Sequence, residues 1–158
     1  MLRIAIVGIG NPEKVDDGAG VLIAEELKKR LEPYCWIKVY QTGTTPENYL
    51  VPITEYRPRI IYLIDACDFG GKPGDFKIFS AKDIKDSGWS THAPSLSLLI
   101  KFLSTQTQAK IFLLAIQPGR IGTRKGPSLP LKNHWKEAVA FLAEECTKNL
   151  ERNQESGH

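Results

Sequence analysis

The chain has 158 residues, 42% of them hydrophobic and 25% charged, with a formal net charge of +3. Length and proportions fit one soluble globular domain with a sizeable core. The small charge and the lack of a strong basic run argue against nucleic-acid binding. The apolar runs fall far short of a membrane span.

Taken in chain order, Leu2 to Val7 is an apolar run that predicts a buried strand. It is too short and too early for a signal-peptide core, and no cleavage signature follows. Gly18 to Leu31 predicts a helix with Val21, Ala24, Leu27 and Leu31 on one face, ended by Pro33. Trp36 to Tyr40 predicts a second strand, and TGTTPEN a loop. Pro46 then sits in the first turn of a short helix through about Tyr56. Ile60 to Ile64 is apolar throughout, as a strand covered on both faces should be. After a Gly- and Pro-rich turn, Phe76 to Phe79 predicts a short strand, placed antiparallel at an edge by the brevity of its connection. Pro94 opens a helix with Leu96, Leu99, Ile100 and Leu103 at helical spacing, and Lys110 to Ile116 is a further strand. A loop from Gln117 to about Lys132 leads to a last helix, capped by Asn133, with Trp135, Val139, Leu142, Cys146 and Leu150 on its apolar face.

This order predicts a single α/β domain over residues 1–150, a twisted, mainly parallel five-stranded sheet sandwiched between helices. Residues 151–158 form a polar C-terminal tail that should fray. Three widely spaced cysteines, Cys35, Cys67 and Cys146, make a poor disulfide framework and suggest a reducing, cytoplasmic setting. With no heptads and no apolar stripe left over, a monomer with a transient partner is the default.

In parallel sheets, sites form outside the carboxyl ends of the strands. There lies GIGNPEKVDDGAG, Gly8 to Gly20. It is not a dinucleotide fingerprint, because Glu13 stands where the third glycine belongs, and it lacks the GK[ST] of a phosphate loop. Asp16 and Asp17 occupy the helix start that would hold a phosphate, and would repel it. The stretch suits a cation better. Asp65 ends the third strand, and His92 stands in GWSTHAPS before the Pro94 helix. Two carboxylates and an imidazole suit a borderline divalent ion such as nickel or zinc. The bland alternatives are that Asp16 caps a helix, that Asp65 bonds loop amides and that His92 is structural. His134 reads as packing or surface, and Arg120, Arg124 and Lys125 as a basic loop that solvates itself or touches a partner.

In order, GIGNPEKVDDGAG, TGTTPEN, LIDA, STH and AIQP resemble the maturation endopeptidases of nickel-iron hydrogenases, over about residues 2 to 145. PEN and AIQP look like the branch serving membrane-bound or formate-linked hydrogenases. The resemblance implies a protease that removes the C-terminal extension of the hydrogenase large-subunit precursor. It implies that Asp17, Asp65 and His92 recognise nickel carried in by that precursor, with no organic cofactor. Asp16 is then a cap-like neighbour. Cleavage follows a His or Arg just beyond the substrate's last cysteine motif. The metal would polarise the scissile carbonyl or acidify a water, with one Asp as general base. Gly43 and Thr44 would help shape the cleft. The family commonly has an acid after the second strand, where this chain has Gln41. The competing readings are a nickel-checking chaperone that binds the precursor without cutting it, and a nucleotide-binding α/β module.

Overall fold

A computed structural model describes residues 2–13, 18–84, 93–119 and 129–155. Its elements, in order, are β1 (Ile4–Ile9), α1 (Ala19–Arg30), β2 (Ile37–Gly43), α2 (Leu50–Tyr56), β3 (Ile60–Ala66), β4 (Phe76–Ser80), α3 (Ala93–Gln106), β5 (Lys110–Ile116) and α4 (Leu129–Glu155). The five strands form one sheet in the order β2-β1-β3-β5-β4. Four run parallel, and β4 pairs antiparallel with β5 at the edge, as its short connection predicted.

Successive strand residues point to opposite faces, and here both faces are apolar. Ile4 and Ile6 of β1, Tyr62 and Ile64 of β3, and Leu114 and Ile116 of β5 pack with Ile23, Leu27, Val139, Leu142 and Cys146, so α1 and α4 cover one face. Ala5, Val7, Ile61, Leu63, Ile111 and Leu113 pack with Ile53, Leu96, Leu99 and Leu103, so α2 and α3 cover the other. Each fully buried Ile or Leu contributes about 1.5–3 kcal/mol. This double burial is why β1, β3 and β5 read as unbroken apolar runs. Among the described residues no helix is long and apolar enough to cross a membrane.

The boundaries differ from expectation in a few places. On α1, Ile23 is fully buried while Val21 is only half-buried, so the inner face is turned slightly from the predicted one. The segment from Pro46 is a 3-10 turn, Pro46–Tyr49, before α2 proper begins. β2 runs on to Gly43 and β3 to Ala66. Asn133 is not a cap: α4 starts at Leu129, with Pro130 in its first turn, where the missing N–H has no helical partner to lose. Loop composition hid that start. The same helix continues to Glu155, beyond the predicted beginning of the polar tail. The face position assigned to Leu150 lies outside the described side chains.

One backbone feature stands apart. α2 ends at Arg57, with φ 54, the only non-glycine with positive φ among the described residues. A left-handed conformation costs an L-residue about 1–2 kcal/mol relative to glycine.

Candidate active site

β1 connects to β2 on one side while β3 joins β1 on the other, so the sheet reverses its winding between β1 and β3. At such a reversal the connections leave in opposite directions and open a crevice at the carboxyl ends. α1 begins there. A Cβ on Gly20 would lie 2.2 Å from the Ile9 carbonyl oxygen and 2.3 Å from that of Ile64. A Cβ on Gly8 would lie 2.5 Å from both the Ala24 Cβ and the Gly20 oxygen. These glycines let the first turn of α1 press onto the ends of β1 and β3. The N-cap is Gly18, with no side-chain cap bond, so Asp16 stands two residues before the cap rather than at it.

Asp65 follows Ile64 on β3 and has no exposed surface. By strand alternation it lies on the face of Ile61 and Leu63, towards α3. Its neighbour on β5 is Ala115. Its Oδ1 accepts a hydrogen bond from the Ala66 N–H at 2.8 Å. That bond is the local amide contact of the bland alternative, and it also fixes the carboxylate's orientation at the strand end.

Asp17 and His92 lie outside the described residues. Their neighbours in sequence, Gly18 and Ala93, adjoin the starts of α1 and α3. The 14 residues of α3 span about 21 Å and the 7 residues of β5 about 23 Å. Only residues 107–109 join them, so α3 runs back along β5 and begins at the carboxyl edge. Among the described residues no three His, Cys, Asp or Glu side chains gather in a metal-binding group. Asp65 is thus the one described member of the predicted set.

Gly43 and Thr44 also come to this edge. Gly43 has φ 62, and its carbonyl accepts the Gly10 N–H at 2.9 Å. The buried Thr42 hydroxyl donates to the Gly8 carbonyl at 3.0 Å, locking β2 to β1 where the register shifts. Thr44 is exposed. Gln41 is half-buried, and its side-chain amide reaches the Val21 carbonyl at 3.5 Å. A carboxylate has no hydrogen to donate there, so the amide has a local reason to replace an acid.

The sequence missed a second assembly at the same edge. Gln117 of AIQP is 7% exposed. Its Oε1 accepts the N–H groups of Phe69 and Gly71, both at 3.0 Å, and its Nε2 donates to Asp68 Oδ1 at 3.0 Å. The Gly70 N–H donates to the same Asp68 oxygen at 3.1 Å. The Gln117 side-chain bond and then the Gly70 bond hold the exposed Asp68 carboxyl below its ordinary pKa. Gln117 thus ties down the segment that leaves β3 just after Asp65.

The family model for hydrogenase maturation proteases matches residues 21–149. A hydrogenase 3 maturation protease of Escherichia coli K12 is 36% identical over 126 residues, covering 79% of each chain. The crystal structure of a nickel-iron hydrogenase maturation protease from Thermococcus kodakarensis superposes with TM-score 0.76 at 33% identity, covering 90% of each chain. The solution structure of an Escherichia coli endopeptidase of this type gives TM-score 0.76 at 29% identity, again over 90% of each chain. Matched in sequence along most of its length and in fold across nine-tenths of it, the chain belongs to the hydrogenase maturation proteases.

Proposed function

We propose that this protein removes the C-terminal extension of a nickel-iron hydrogenase large-subunit precursor after nickel has been inserted into it. Family membership supports the peptidase activity. The observation that carries the finer reading is Asp65: a carboxylate with no exposed surface, at the end of the central strand, near the start of α1. Its Oδ1 is held by the Ala66 N–H, and a carboxylate oriented in this way is a chemically apt ligand for a metal-bearing substrate.

In this proposal Asp17, Asp65 and His92 form the set that meets the precursor's nickel. Two oxygens and one nitrogen match a borderline divalent ion. The metal belongs to the substrate, and this chain supplies no organic cofactor. One of the two carboxylates takes the proton of the attacking water. Gly43 and Thr44 form one wall of the cleft. The setting is the cytoplasm, where an exposed thiol such as Cys35 stays reduced. The protein acts as a monomer that meets its precursor transiently.

The test uses Asp17→Asn and Asp65→Asn, each close in shape to the original, with nickel-loaded precursor. Intact-mass spectrometry reads cleavage, and a pull-down reads binding. Both variants should lose cleavage by about a hundredfold or more while melting within a few degrees of the wild type. Full cleavage by either variant would remove that residue from the site. Tight binding by the wild type with no cleavage would favour the chaperone reading.

A further inference from the structure

The amino-end edge of the sheet, opposite the candidate active site, holds a cleft of about 730 Å³. This is the size of a small-molecule site. Arg3, Arg57, Arg59 and Lys110 are in its wall, and no acidic residue among the described ones lines it. No ion pair among the described residues engages any of the four.

A simpler account is that these cations offset helix dipoles, since α2 and α3 both end at this edge with Arg57 and Gln106 in the cleft wall. The magnitudes decide against it. A helix carboxyl end carries the equivalent of about half a negative charge, so two ends balance about one of the four positive charges. The excess equals the formal charge of the whole chain, +3.

The backbone segments that carry the cations are also joined to one another. Arg59 N–H donates to the Arg3 carbonyl at 2.7 Å, and Lys110 N–H to the Arg59 carbonyl at 2.9 Å. Arg3 Nε donates to the Arg57 carbonyl at 3.3 Å, and its guanidinium carbon lies 6.0 Å from the centre of the Tyr56 ring. Arg57 occupies the left-handed turn that glycine would fill with less strain. Arg57, Arg59 and Lys110 are exposed, so an anion entering the cleft can reach them.

We propose that this cleft binds a small anion carrying two or more negative charges, a polyphosphate or a polycarboxylate. It lies about 20 Å along β3 from Asp65, so it is distinct from the candidate active site and independent of the function proposed above.

Calorimetric titration of the full chain at low salt tests this, with inorganic pyrophosphate in one arm and citrate in the other. Saturable binding in at least one arm is expected. Pyrophosphate alone would identify a phosphate ligand, citrate alone a polycarboxylate, and equal binding a site that reads charge density. Arg57→Gly suits the left-handed turn and should fold, yet bind about tenfold more weakly. Arg59→Gln should weaken binding similarly. Lys29→Gln, which removes one charge from α1, should bind as the wild type does. Lack of saturable binding in both arms would overturn the proposal. So would wild-type affinity in both cleft variants, or an equal loss in Lys29→Gln.

Discussion

Gly20 decides where α1 can lie. With a hydrogen at that position, the helix start rests on the Ile9 and Ile64 carbonyls; with a methyl group it meets them at 2.2 and 2.3 Å. Backbone oxygens cannot swing aside as a flexible side chain would. Gly20→Ala should therefore lower stability by about 3 kcal/mol in urea unfolding. It should also reduce precursor cleavage in the fraction that remains folded, because the start of α1 moves. Tyr40 makes the opposite prediction. Among the described residues its buried hydroxyl meets no hydrogen-bond partner, and burial, with a smaller contribution from Tyr56, raises its pKa from 10.0 to about 12. The neutral form is the one the fold favours, so this contribution to stability is full below pH about 10 and is lost as pH rises towards 12. Tyr40→Phe should gain about 1 kcal/mol at pH 7. Urea unfolding at alkaline pH should show the variant losing less stability than the wild type.

At the scale of the element, the connection from β3 to β4 depends on a residue from β5's end. Gln117→Ala would leave the Phe69 and Gly71 N–H groups without their acceptor and Asp68 without one donor. A loss of about 1–3 kcal/mol is expected, with faster amide exchange at Phe69 and Gly71 as the direct readout. Nothing local in the sequence announces this brace, since Gln117 lies 46 to 49 residues from its side-chain partners. The strands were far more legible. Ile60 to Ile64 and Lys110 to Ile116 are apolar on both faces because helices cover both faces. The start of α4 was hidden because Leu129–Pro130 looks like loop composition, while Pro130 is tolerated in a first turn.

On the scale of the whole molecule, the two edges of the sheet have separate characters. The carboxyl edge carries Asp65, the glycine-seated start of α1 and the Gln117 brace. The amino edge carries the basic cleft. Parallel strands make this division possible, because every crossover returns the chain to the same edge. That regularity is why the strand ends and helix starts of one edge were the places to look: Asp65 stands at such a strand end, while Asp17 and His92 lie outside the described residues. The glycines of the opening stretch were legible only as a failed phosphate loop. Their packing role depends on which strand ends α1 rests upon, and a single sequence does not state that.

The most direct test of the central claim is intact-mass spectrometry of a cognate large-subunit precursor, nickel-loaded and nickel-free, after incubation with the wild-type protein. Loss of a C-terminal peptide from the nickel-loaded precursor alone is expected. Equal trimming of both forms would contradict nickel recognition. An unchanged mass in both, with the same precursor cut by an established maturation protease, would contradict the cleavage itself.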